Sequence, residues 1–305
     1  MFVGHALVAF SLVAAVAERR DLPTRRVLLL GALAGAFATL PDVDILYALT
    51  GLLGTSGLFD AANSFWATGN LVHRTVTHSL VVGTVIVVAV AGWHRSDRWS
   101  SAASLVLVAG LVATVTAMSG PISGVLTMVF VGGALAITAL AVRHDVSTRS
   151  TAAAAAVGLL SHPFGDLLTG QPPLFLYPFD GTLVTDRIAL HADPTVHLLG
   201  AFWVELGTAW VALAVFLWVT DRSLRPHLNL RATGGVAYGV TALVMPAPTL
   251  EQSYHFVFSV VAVGAVGAAP AVRERSFPDP LSVAATGLAA ITLASVGYAL
   301  GYLLY

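Results

Sequence analysis

The chain has no cysteine, and all 15 of its basic residues are arginine. The first absence excludes disulfides, thiolate nucleophiles, Cys-ligated zinc and iron–sulfur clusters. The lack of lysine excludes Schiff-base chemistry and a P-loop lysine. Charge of either sign is also scarce: charged residues are 10% of 305 and hydrophobic residues 57%, where a soluble domain carries roughly 25% charged residues. Disorder, a coiled coil and a basic nucleic-acid binder are excluded on the same grounds, and no nucleic-acid partner is expected. With a mean hydropathy of +0.83, the chain reads as an all-α, polytopic integral membrane helical bundle in the inner (plasma) membrane.

Ten runs are apolar enough to be candidate spans: 3–17, 27–48, 78–93, 101–117, 122–142, 151–169, 198–220, 232–248, 255–272 and 281–304. Arginine placement tests that segmentation. Thirteen of the fifteen fall on alternate loops, and only Arg74 and Arg187 fall on the other side. The positive-inside rule then puts the arginine loops in the cytoplasm and both termini outside. Residues 1–17 have no positive n-region, and Arg19 and Arg20 follow the apolar run. That is the reverse of a secretory signal, so the first run is expected to be a retained helix. No internal repeat is evident. The stretches 50–72 and 170–196 are too polar and turn-rich to span. Their aromatics, such as Trp66, Phe175, Tyr177 and Phe179, suit an outer interface.

Ionisable residues inside spans are costly and are functional candidates by default. They are His5, Asp42 and Asp44, His73 and His78, His162 and Asp166, and Glu205. On the ten-span topology the first seven lie at one level, in the outer half of the bilayer. Asp42, Asp44 and Asp166 have one basic neighbour there, Arg74. Buried carboxylates without a partner must be protonated or neutralised by a cation. Histidine mixed with carboxylate is a ligand set for zinc, manganese or iron. The expected metal ligands are therefore His5, Asp42, Asp44, His73, His78, His162 and Asp166, and the expected cofactor is a divalent metal ion, zinc first.

His162 and Asp166 are i, i+4 and share a helix face. Asp42 and Asp44 are about 200° apart on a regular helix, so both can point inward only if the helix is interrupted, for which Pro41 supplies a cause. His94, His144, His191, His197, His227 and His255 sit in or near loops and read as packing or hydrogen-bonding residues. Glu205 reads equally well as a helix–helix hydrogen-bonding residue. A structural polar network is the competing reading for the clustered set. Thr75, Thr77 and Ser79 read as helix caps or as groups that orient a metal-bound histidine.

These residues fall in four ordered motifs. They are His5 near the N-terminus, Pro41-Asp42-Val43-Asp44, His73-Arg74-Thr75-Val76-Thr77-His78-Ser79, and Ser161-His162 with Asp166-Leu167-Leu168-Thr169, the last followed by Leu176-Tyr177-Pro178-Phe179. In that order they resemble the YdjM-type, LexA-regulated family of membrane-bound metal-dependent hydrolases. The family pattern commonly has Gly where this chain has Thr75. The resemblance covers roughly 1–93 and 151–180. It implies a hydrolase-like membrane core over 1–196, with an inserted helical hairpin at about 94–150, and a transmembrane extension over 197–305. A fainter similarity, carried by His162-x3-Asp166, runs to zinc-dependent phospholipase C and P1-type nucleases, and implies a phosphoester substrate.

The expected activity is metal-assisted hydrolysis at the outer membrane interface. A lipid-like or phosphoester substrate and the membrane lipids are the expected partners. Asp42 or Asp44 would take the water's proton, and Arg74 would pair with phosphate or the developing oxyanion. A transporter or metal-ion permease is the alternative, because broken helices and intramembrane carboxylates occur there too. A non-catalytic membrane protein with a structural metal site is the third reading.

Overall fold

The structure, a computed structural model, describes residues 3–244, 250, 256–257, 260–270 and 277–304. His255, Arg273 and Arg275, with parts of the stretches 232–248 and 255–272, lie outside the described residues. Every regular element among the described residues is helical. The chain divides into two compact units, Met1–Ile188 and Ala189–Tyr305.

The first unit begins with α1 (Gly4–Glu18) and α2 (Thr24–Thr39), which pack on each other. Thr39 ends α2 because Pro41 brings no N–H to the ladder. A 3₁₀ segment, Pro41–Leu52, continues from it at a bend of 45°. α3 (Leu58–Gly69) packs on that segment, so the polar stretch expected not to span contains a short helix. A 3₁₀ turn, Val76–His78, precedes α4 (Leu80–His94). α6 (Thr148–Gly165) lies against α1, α2 and α4 and runs into a last 3₁₀ turn, Asp166–Leu168.

Gly158 sets the spacing of α6 against α2. A Cβ there would stand 2.5 Å from Ala34 O and 2.7 Å from Phe37 Cβ, so only glycine lets the two backbones approach this closely. Around this contact Ala9, Leu33, Phe37, Ala155 and Leu159 are buried.

Between α4 and α6 lies α5 (Arg98–Arg143), 46 residues long. It is not straight. Gly120 has φ +84°, Pro121 follows it, and a Cβ on Gly124 would overlap Thr116 Oγ1. In an unbroken helix, positions eight apart are separated by about 12 Å. The two arms therefore double back at Gly120. Arg26 donates to His144 O (3.1 Å) and Asp145 O (2.7 Å), tying the first turn of α2 to the end of the second arm.

The second unit contains α7 (Pro194–Val219), α8 (Gly234–Val244), a 3₁₀ segment Val260–Ala268 and α9 (Pro280–Leu304). Asp193 caps α7, accepting from the N–H of Thr195 and Val196. Among the described residues three helices, α5, α7 and α9, are long and apolar enough to cross a membrane, or four if the bent pair of α2 and Pro41–Leu52 is one span. At 15 residues each, α1 and α4 are apolar but fall below the roughly 20 residues a crossing takes.

Candidate metal centre

The polar residues named from the sequence come from five separate places in the first unit. α1 supplies His5, and the bent 3₁₀ segment supplies Asp42 and Asp44. The turn before α4 supplies His73, Arg74, Thr77 and His78. The end of α6 supplies His162, and the next turn supplies Asp166. The structure brings all of them together. Most are deeply buried: His78 and His162 are 0% exposed, Asp44 and Asp166 1%, and His5 5%.

Local backbone explains the placement. Arg74 takes a left-handed conformation, φ +67°, which reverses the chain after α3. Its carbonyl accepts from Leu174 N (3.1 Å), and Phe175 O accepts from Leu80 N (2.9 Å). Ser79 Oγ caps α4, accepting from Val81 N and Val82 N, and donates to Tyr177 O (2.6 Å). The His73–Ser79 and Leu176–Phe179 motifs are thus stitched side by side. Tyr177 OH, in turn, is 2.8 Å from Ser119 Oγ beside the α5 bend.

Asp42 and Asp44 take opposite sides of one imidazole. On the 3₁₀ segment they are about 120° apart by the shorter way round, where a regular helix would set them about 160° apart. Asp42 Oδ1 lies 3.6 Å from His78 Nε2 and 3.4 Å from His162 Nε2. Asp44 lies behind the ring: Oδ1 accepts from His73 Nδ1 (2.9 Å), Oδ2 accepts from Thr77 Oγ1 (2.7 Å), and His78 Nδ1 is 3.4 Å from Oδ2.

Asp166 Oδ2 lies 3.0 Å from His78 Nε2 and 3.7 Å from His162 Nε2, and Oδ1 lies 3.3 Å from His5 Nε2. The rings of His5 and His162 stack at 3.8 Å. Arg74 Nε stands 3.6 Å from Asp166 Oδ2, while Nη2 donates to Thr169 Oγ1 (2.9 Å). Gly170 leaves room for that guanidinium, since a Cβ there would overlap Arg74 Nη1.

The hydrogen bonds assign the ring hydrogens. His162 Nδ1 faces Ala38 O at 2.6 Å, so it must donate. That carbonyl is available because its i+3 neighbour is Pro41, which has no N–H. Thr77 donates its one hydrogen to Asp44, so its 3.0 Å contact with His78 Nδ1 is filled by the hydrogen on His78. In neutral rings this leaves the lone pairs bare at the two Nε2 atoms, which are only 3.1 Å apart. Carboxylate oxygens of Asp42 and Asp166 point into the same gap. Lone pairs that face one another in this way repel unless a cation or a shared proton lies among them.

The spacing suits a metal ion. Bonds of about 2.0–2.1 Å to a tetrahedral zinc put its ligand atoms about 3.3–3.4 Å apart. Five separations among His78 Nε2, His162 Nε2, Asp42 Oδ1 and Asp166 Oδ2 run from 3.0 to 3.7 Å. Two trios that share no residue also have metal-holding spacing, His5 with His162 and Asp166, and Asp42 with His73 and His78.

Two contributors lie outside the motifs read from the sequence, the Ala38 carbonyl and Gly170. Thr169 closes the Asp166 motif, and its contact with Arg74 gives it a role. A main-chain oxygen leaves no sequence signal, but Gly170 directly follows that motif. Glu205 and His197 belong to the second unit. There His197, buried on α7, accepts from Leu190 N (3.2 Å).

A family model described as YdjM inner membrane protein matches residues 1–227. The match runs through the α5 hairpin and α7 as well as the motif-bearing stretches. No curated protein and no solved structure matches this chain.

Proposed function

This chain belongs to the YdjM inner membrane protein family and is a multi-pass inner-membrane protein, and from that premise we propose that it is a metal-dependent hydrolase acting on a phosphoester or lipid-like substrate at the outer membrane interface. One observation carries the reading. Two bare imidazole nitrogens and two carboxylate oxygens face each other at the edge lengths of a metal tetrahedron. Charge supports it, because Asp42, Asp44 and Asp166 outnumber Arg74. A single added proton, bridging His78 to His162 or to Asp166, would offset only one of these negative charges, whereas a divalent ion offsets two.

His78, His162, Asp42 and Asp166 would hold the ion. His5 would steady Asp166 from its other oxygen, and His73 and Asp44 would sit behind His78. A divalent ion in that position supplies Lewis acidity and a water of lowered pKa. Asp42 is the most open of these four side chains, 23% accessible. It is placed to accept a proton at the oxygen turned away from the histidines. Arg74, 17% accessible, offers its guanidinium to a phosphate or a developing oxyanion. Leu46, Leu71, Phe164 and Leu174 are exposed and adjoin the site residues in sequence. They give an amphiphilic substrate an apolar border, and they favour a lipid-like ester over a wholly polar one.

The topology that goes with this function has ten spans and both termini outside, resting on the thirteen-to-two arginine split. A reporter fused after Tyr305 should then report an extracytoplasmic location. Cytoplasmic reporter activity would overturn the orientation.

The second reading, a structural metal site, draws on the same tetrahedron. Four protein donors close the shell, whereas catalytic zinc keeps one position for water. Protein purified in detergent separates the two readings. The hydrolase reading expects bound divalent metal and turnover of a phospholipid or prenyl-phosphate ester that is lost in Asp42→Asn. Bound metal with no turnover favours the structural site, and a protein that takes up no metal refutes both.

A further inference from the structure

We infer that Thr77 is a positioning residue for this centre: its hydroxyl, held between Asp44 and His78, decides which nitrogen of His78 carries the hydrogen and so which is offered to a metal ion. The inference rests on the metal-centre reading and deepens it.

Thr77 is 4% exposed and touches none of the four inward-facing donor atoms. Its hydroxyl has one hydrogen to give. Asp44 Oδ2, 2.7 Å away, belongs to a buried carboxylate whose other oxygen already accepts from His73. Asp44 therefore takes that hydrogen. The remaining contact, 3.0 Å to His78 Nδ1, can be made only by an N–H on the ring. The relay from His78 through Thr77 to Asp44 has one sense, and in the neutral ring it leaves Nε2 bare.

The opposite tautomer would change the chemistry of the whole cluster. A hydrogen on Nε2 of His78 could be donated to His162 Nε2 at 3.1 Å or to Asp166 Oδ2 at 3.0 Å. The cluster would then be a closed hydrogen-bond network with much less need of a cation. Thr77 thus tips the same side chains from a self-satisfied polar network toward a metal site. Its position is well held for this, because Thr77 and His78 are consecutive in the Val76–His78 turn, and that turn is closed by Ser79 N donating to Val76 O (3.2 Å).

The test uses the full chain in detergent, stripped of metal and titrated with cobalt(II) under competition from a chelator. Ligand-field absorption reports both affinity and geometry. Thr77→Val keeps the shape and removes the hydroxyl, and should weaken cobalt binding about 10- to 100-fold, while Thr77→Ser should stay within about threefold of wild type. Equal binding by Thr77→Val overturns the inference. So does an equal loss in Thr77→Ser, which would assign the effect to packing. Nitrogen-15 histidine labelling of the metal-free wild-type protein reads the ring directly and needs no variant. A hydrogen on Nε2 of His78 also overturns the inference. A wild-type chain that binds neither cobalt nor zinc refutes the metal-centre reading itself, a result distinct from the others.

Discussion

The two compact units treat polarity in opposite ways. The first buries His5, Asp44, Thr77, His78, His162 and Asp166 in one cluster. The second has a core of Leu199, Phe256, Val260, Ala294 and Tyr298, in which the rings of Phe256 and Tyr298 stack at 3.6 Å. Its carboxylates Asp193 and Asp279 stand at helix starts, each accepting backbone N–H groups. Where Gly235 meets Ala290 O, its backbones approach by omitting side chains. Burying charge costs several kcal/mol per group unless it is paired. The first unit concentrates that cost at one point, as a site does, while among the described residues of the second only Glu205 sets a carboxylate along a helix, half-buried on α7, and the core packs by shape.

The largest test of this contrast is loss of a donor. Asp166→Asn keeps the volume and removes the charge, and should lower metal affinity about 1,000-fold, roughly 4 kcal/mol. His197→Ala in the second unit should leave metal content unchanged. Metal analysis of both variants checks the pair, and full retention by Asp166→Asn with loss in His197→Ala would show the centre assigned to the wrong unit. Phe256→Ala should act the other way, costing about 3 kcal/mol of stability through the cavity it leaves while metal content holds. Thermal unfolding of the protein in detergent reads that difference. If metal is lost as well, the division of labour between the units is wrong.

Smaller changes sharpen the site. Gly170→Ala adds a Cβ that would overlap Arg74 Nη1, so the guanidinium must move. The expected outcome is retained metal, with kcat/KM for a phosphoester down about tenfold, about 1.4 kcal/mol. An unchanged kcat/KM would remove Arg74 from substrate binding. Ser79→Ala loses the α4 cap and the tie to Tyr177 O. It should cost about 1 kcal/mol of stability, with little effect on metal affinity. A metal affinity that falls as far as in Asp166→Asn would move Ser79 into the centre.

The sequence by itself determines a good deal of this protein. With 57% hydrophobic and 10% charged residues, burial in lipid is the only environment that suits most of the chain; lipid admits helices or closed barrels, and long continuous apolar runs select helices. The same composition makes each intramembrane Asp and His conspicuous, which is why the site residues can be listed before any fold is known. His162 and Asp166 can even be paired, because one helical turn is a local property.

The roles are decided elsewhere. Asp42 and Asp44 are equivalent in the sequence, and only the 3₁₀ segment after Pro41 sets one before the His78 ring and the other behind it. The tautomers of His78 and His162 depend on Thr77 and on the Ala38 carbonyl, and the latter reaches its ring only because Gly158 lets α6 close on α2. Residue periodicity describes a neighbourhood of a few residues. These contacts join positions 33 to 124 residues apart, and only packing of the folded chain brings such positions within hydrogen-bond distance.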